Sequence, residues 1–276
     1  MDASVEARFA EGNVVGDLAM GLFGDFVEVT TIKDERLDLN AMIARTREEM
    51  ERGTEVICEA SFSYNDGTGS NYCAVDILRK TPDGWAIYEV KSTTSHMADV
   101  ATMSKELVDK VEKYAKDIAF QKWVLVQCGM KVTGTYLVTL NSDYVRQGDL
   151  DVQQLFNIIN MQELVENEYL KVPTQQRLAH TVLQGAEPQK AIGMHCSDPY
   201  QCAFWSYCTH QVGLDLENDK TTVFDLYRMS AKKKFDLFDQ GKVTFEDVRH
   251  EKLNAKQQVQ VECTLNGTEH IDKQGI

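Results

Sequence analysis

No stretch of the chain approaches the run of about 18 apolar residues that a membrane-spanning helix of ordinary length needs, so no such span is expected. The opening residues, M-D-A-S-V-E-A-R-F, lack the basic-then-apolar pattern of a secretory signal, and a cytoplasmic protein is the expectation. Positive charge is scarce: 29 Lys and Arg stand against 43 Asp and Glu, a net charge of −14. Such a field steers a polyanion poorly, so a groove for nucleic acid would have to be basic locally. The cations available for one are Arg79, Lys80, Lys91 and the run Lys232-Lys233-Lys234. No cysteine precedes Cys58, and the chain has no internal repeat or low-complexity segment. In the absence of an export signal, the seven cysteines point to a reducing compartment, where clustered thiols hold metals more often than they form disulfides. A chain of 276 residues can bury one substantial core, with room for an accessory module.

What is present concentrates in residues 74–91, A-V-D-I-L-R-K-T-P-D-G-W-A-I-Y-E-V-K. Residues 71–79 and 85–91 are rich in β-branched, aromatic and apolar side chains, and Thr81-Pro82-Asp83-Gly84 between them signals a turn. Strand side chains alternate faces, so Glu89 and Lys91 point one way and Val90 the other. A simple four-residue turn pairs Thr81 with Gly84 and sets Asp76 opposite Glu89, with Cβ atoms about 5 Å apart. Two carboxylates that close in an apolar sheet repel each other unless a cation lies between them, and a metal is the simplest cation. A second turn at Gly67-Thr68 sets Glu59 opposite Asp76 in the same way, as a candidate third carboxylate.

The rest reads as alternating helices and strands. Helices are expected over residues 4–22 and 37–52, strands over 55–64, 71–79 and 85–91, and a long helix over 98–127 closed by Cys128-Gly129. Residues 132–140 form a fourth strand, expected to run parallel to a central strand across the helical crossover. A helix over 150–183, a loop-rich cysteine block and a helix over 222–241 complete the reading.

Asp76 followed by Glu89-Val90-Lys91 on the next strand resembles the PD-(D/E)XK nuclease superfamily. The block H-C-S-D-P-Y-Q-C-A-F-W-S-Y-C at 195–208 spaces Cys196, Cys202 and Cys208 at equal intervals. A nuclease hairpin followed by such a block is similar to the RecB-like nucleases, including CRISPR-associated iron–sulfur exonucleases and an uncharacterised bacterial family of RecB-nuclease-like proteins. E-G-N-V-V-G-D-L-A at 11–19, D-I-A-F-Q at 117–121 and V-F-D-L-Y-R at 223–228 extend the resemblance along the chain. It implies an α/β, restriction-endonuclease-like core of a helix, three antiparallel strands, a helix and a fourth strand. The implied organisation is a nuclease domain over 1–194, a cysteine module over 195–213 and a helical extension over 214–276.

The implied activity is metal-dependent hydrolysis of DNA, exonucleolytic by resemblance. Asp76 and Glu89 would hold Mg²⁺ or Mn²⁺, with the Val90 carbonyl and Glu59 as further ligands. Lys91 would orient the attacking water or stabilise the phosphate charge, and Gln121 would help to place substrate. Cys196, Cys202 and Cys208 would hold a [4Fe–4S] cluster, with a zinc site that includes His195 or His210 as a competitor. Three departures stand out. Gly16 occupies the first-helix position, four residues after Gly12, where many relatives carry a metal-binding histidine. Leu125 stands where a tyrosine follows the glutamine. The fourth cysteine lies near the N-terminus in the family and has no counterpart here, so the chain is expected to be cut at both ends and its cluster incomplete. A DNA-binding or assembly scaffold that has lost efficient catalysis is the alternative.

Overall fold

The computed structural model describes residues 3–198, 200–216 and 218–271. Pro199 of the cysteine block and Asp272-Lys273 of the tail lie outside the described residues. The chain divides into two compact units, Met1–Ala186 and Glu187–Ile276, so the cysteine block and residues 214–276 share the second.

The first unit is a mixed α/β fold around one six-stranded sheet. It opens with helix α1 (Ala3–Met20), short strands β1 (Val27–Glu28), β2 (Ile32–Lys33) and β3 (Arg36–Leu37), and helix α2 (Leu39–Arg52). Asp38 caps α2 by accepting from Ala41 N, and Gly53 ends it in the left-handed conformation that a residue without Cβ adopts readily. Strands β4 (Val56–Asn65), β5 (Ser70–Thr81) and β6 (Gly84–Ser95) follow as an antiparallel meander. Helices α3 (Met97–Thr102), α4 (Lys105–Val111) and α5 (Ala115–Gln127) then cross over to β7 (Val132–Asn141), which runs parallel to β6. A single turn, α6 (Val152–Leu155), leads into β8 (Phe156–Asn160), antiparallel to β7, and helices α7 (Gln162–Tyr169) and α8 (Val172–Gln184) close the unit. The strand order is β1-β4-β5-β6-β7-β8.

Apolar side chains cover both faces of this sheet. On one, Ile57, Ala60, Cys73, Val75 and Ile87 pack with Leu107 and Val111 of α4 and with Ile118, Ala119, Val124 and Leu125 of α5. On the other, Val56, Cys58, Ile77, Ala86, Tyr88 and Val138 pack with Ala19, Met20 and Leu22. A sheet buried on both faces is what a parallel crossover demands.

Three expected helices are corrected. Residues 98–127 form three helices: Met103 turns left-handed (φ 47°), and Ser104 starts a new one by accepting from Leu107 N. Residues 150–183 contain β8 as well as helices, since Asp151 caps only one turn before the chain extends, and Pro173 stands in the first turn of α8. Residues 222–241 carry a capped short turn at Val223–Asp225, then Arg228 in the left-handed region, before helix begins at Ala231.

The second unit holds helices α9 (Trp205–Gln211), α10 (Ala231–Asp239), α11 (Phe245–Val248) and α12 (Ala255–Asn266). Its cores are Val223, Leu226, Phe245, Val248 and Val261, and a cluster of Ile192, Cys196 and Phe235 against Trp205.

Candidate active site

The ladder between β5 and β6 runs from Thr81 opposite Gly84 to Ile77 opposite Tyr88, the register set by the four-residue turn. One step further the two strands part. Beyond it β5 pairs only with β4, and β6 only with β7. Asp76 and Glu89 occupy that step, at the crotch of the fork. The next backbone donor, Val90 N–H, gives its hydrogen bond to Asp76 Oδ2 at 2.6 Å, so a side chain replaces the ladder where the sheet opens.

Glu59 faces Asp76 from the other side. The β4–β5 ladder keeps one register on both sides of them, from Cys58 opposite Ile77 to Ala60 opposite Val75, but leaves this pair out. Glu59 is left-handed there (φ 57°). Facing changes with it: Ile57, Ala60 and Phe62 line the α5 side, as do Cys73, Val75 and Leu78. Strict alternation would put only one of Ile57 and Ala60, and one of Val75 and Leu78, on that side. Each strand therefore spends one extra residue at the same place, which preserves the register and re-aims both acids, as a bulge does. A non-glycine residue in this conformation costs about 1–2 kcal/mol, and such strain gathers at functional sites.

Glu89 and Lys91 point to the α5 side, while Val90 packs with the opposite cluster. Glu89 is 5% exposed. Its Oε1 accepts from Lys91 Nζ and its Oε2 from Gln121 Nε2, each at 2.6 Å. Gln121 Oε1 is buried with no partner among the described residues. Lys91 Nζ also lies 3.7 Å from Asp117 Oδ2 and 5.7 Å from the centre of the Tyr114 ring. Tyr114, Asp117 and Gln121 recur at three and four residues, so they share a helical face. That spacing was the available sequence signal for Tyr114 and Asp117, and the motif reading, which considered Gln121 alone, missed both.

Burial and the charges of Glu89 and Glu59 push the Asp76 carboxyl well above the usual carboxylate range, against the Val90 hydrogen bond and Lys91. Glu59 is raised by burial and by Glu28, Glu89 and Asp17. Burial opposes the Lys91 charge, but Glu89, with Asp76 and Asp117, outweighs it and holds the ammonium above its ordinary pKa. Four acids, Asp17, Glu28, Glu59 and Asp76, line a cavity of about 570 Å³ with Val90 and Gly16. A Cβ at Gly16 would meet nothing within 4 Å, so open space surrounds the position at which the resemblance leads one to expect a histidine.

Among the described residues no three His, Cys, Asp or Glu side chains are grouped as a metal ion would group them. This includes the cysteine block, where Cys202 N donates to Cys196 O at 2.8 Å while Cys196 is buried and Cys202 exposed. Cys196 Sγ lies 3.5 Å from His195 Nε2, and Cys208 packs with Cys196 in the apolar cluster of the second unit. Among the described residues no helix is long and apolar enough to cross a membrane. No protein-family model and no curated protein matches the chain.

Proposed function

We propose that the first unit is a cation-dependent phosphodiester hydrolase acting on DNA, built on a restriction-endonuclease-like core and working as an exonuclease. The observation that carries this reading is the fork itself: Asp76 and Glu89 hold facing positions where two paired strands separate, Asp76 accepts from Val90 N–H, and Lys91 stands two residues from Glu89 on the same face. Two carboxylates suit Mg²⁺ or Mn²⁺, which keep several waters and take few protein oxygens. The raised proton affinity of Asp76 fits too, since burial beside other carboxylates favours any cation that offsets their charge. Such a cation supplies charge to polarise a phosphate and to acidify a water.

The protein's own groups do the positioning. Gln121 fixes Glu89 through Oε2 and leaves Oε1 as the oxygen that Lys91 would yield to a cation. Asp117, beside the Tyr114 ring, gives the released ammonium a second seat within the cleft. From there Lys91 stays protonated and donates to the phosphate oxygens as their charge grows. Glu59 adds negative potential and sits ready to share ligand duty with Asp76.

A specific observation favours the second reading, a DNA-binding scaffold with weak or no catalysis. Gly16 lines the cavity without a side chain, and among the described residues no three His, Cys, Asp or Glu side chains are grouped as a metal ion would group them. Incubation of end-labelled DNA with the purified chain and Mn²⁺ separates the two. Progressive loss of label supports the enzyme; retention of DNA without loss of label supports the scaffold.

A further inference from the structure

Strands β2 and β3 form a two-stranded hairpin apart from the main sheet, with Ile32 opposite Leu37 and Lys33 opposite Arg36. Its two-residue turn, Asp34-Glu35, has both residues left-handed (φ 50° and 61°), the form that matches the twist of a tight hairpin. The base is held firmly. The Arg45 guanidinium donates to the carbonyls of Thr30 and Glu28, each at 2.9 Å, and to Thr31 Oγ1 at 3.2 Å. Leu37 of the hairpin, with Thr30 and Glu28 just before it, lines the same cavity as Asp76 and Glu59, so the hairpin borders the Asp76 side of the candidate active site.

The exposed side chains of this hairpin are unusual in two ways. Ile32 is 69% and Leu37 56% exposed, an apolar pair on one face of the hairpin. On the other face Lys33 and Arg36 sit directly opposite, an arrangement in which like charges repel. Neither is in an ion pair among the described residues, even with Asp34 and Glu35 beside them. Two cations held side by side without an ion pair among the described residues, in a chain of net charge −14, offer donors to an anion, although Asp34, Glu35 and Asp38 lie close by.

Resting on the nuclease reading, we propose that this hairpin is the DNA guide of the site: Lys33 and Arg36 bind backbone phosphates, and Ile32 and Leu37 wedge against the bases of a frayed strand end entering the cavity. Phosphate contacts position nucleic acid, and Ile and Leu are side chains that proteins insert between base steps. The preferred substrate is then DNA with unpaired ends rather than a closed blunt duplex.

Fluorescence anisotropy in EDTA, with a frayed-end and a blunt duplex of equal length, tests this on the full chain. The parent is expected to favour the frayed duplex. Lys33→Gln with Arg36→Gln should weaken binding about tenfold and lower the slope of log affinity against log salt by about 1.4, since each single-strand phosphate contact contributes about 0.7. Ile32→Ser with Leu37→Ser should erase the preference for frayed ends and leave blunt affinity unchanged. All four side chains are exposed, so the melting temperature should not move. Parent-like binding by both double variants would overturn the guide. If those variants bind as the parent does and the parent still degrades DNA with Mn²⁺, the guide alone is wrong. If the parent neither binds nor degrades DNA, the nuclease reading falls and the guide with it.

Discussion

Glu59 and Asp76 face each other at the one pair that the β4–β5 ladder omits, and both strands change facing there. The sheet spends strain at Glu59 and places two acids beside a third, Glu89, with one Lys91 between them and neutrality.

Replacing Glu59 isolates the strain. Glu59→Gly and Glu59→Ala both remove a like charge, but only glycine adopts a φ of 57° without penalty. Chemical denaturation without divalent cations should find the glycine variant more stable than the alanine variant by about 1 kcal/mol. Equal stabilities would mean that the left-handed turn carries no strain.

Asp76→Asn tests the charge crowding, and its pH dependence has a definite sign. The folded-state pKa of Asp76 is raised above its unfolded value of about 3.9, so the folded state holds the proton more tightly. Stability from that proton is present in full below pH 4 and is lost as pH rises through the folded pKa. The asparagine, which can still accept from Val90 N–H, should match the parent near pH 4 and exceed it at pH 8, by on the order of 1–2 kcal/mol. A gain that is independent of pH would contradict the assignment.

The same proton competes with a cation. Mn²⁺ should raise the melting temperature of the parent more at pH 8 than at pH 6, as binding selects the ionised carboxyl and releases a proton. Glu89→Gln should abolish the increase. Thermal shifts that are identical at both pH values would show that the cation binds elsewhere.

Much of the site could be read from sequence because turns fix register. Thr81-Pro82-Asp83-Gly84 and the Gly67-Thr68 turn determine which residues face each other along β4, β5 and β6. The left-handed Glu59 was not legible, since nothing local in C-E-A favours it over extended strand; the conformation is imposed by the sheet. The breaks in the long apolar segments were legible in part. Ser104, Asp151 and Pro173 are helix-start residues inside stretches whose 3.6-residue periodicity suggested one continuous helix. The β2–β3 hairpin was hidden because Asp34-Glu35 lacks the glycine or asparagine that usually marks such a turn.

Gln121 and Asp117 are expected to act on different steps. Gln121→Ala frees Glu89 Oε2, so it should weaken Mn²⁺ binding and lower cleavage together. Asp117→Asn removes only the second seat of Lys91, so cleavage should fall about tenfold with Mn²⁺ affinity unchanged, and Asp117→Glu should restore most of it. Titration of Mn²⁺ against single-turnover rates distinguishes the two patterns. A loss of Mn²⁺ affinity in Asp117→Asn would make it a ligand-shell residue instead.

The most direct test is single-turnover degradation of end-labelled DNA with Mn²⁺ by the parent, Asp76→Asn, Glu89→Gln and Lys91→Ala, each checked for folding. The parent should release label, and the two carboxylate variants should lose at least about a thousandfold in rate. Lys91→Ala should lose comparably while still binding Mn²⁺. Cleavage by all three variants at the parent's rate would show that the fork of β5 and β6 is not an active site.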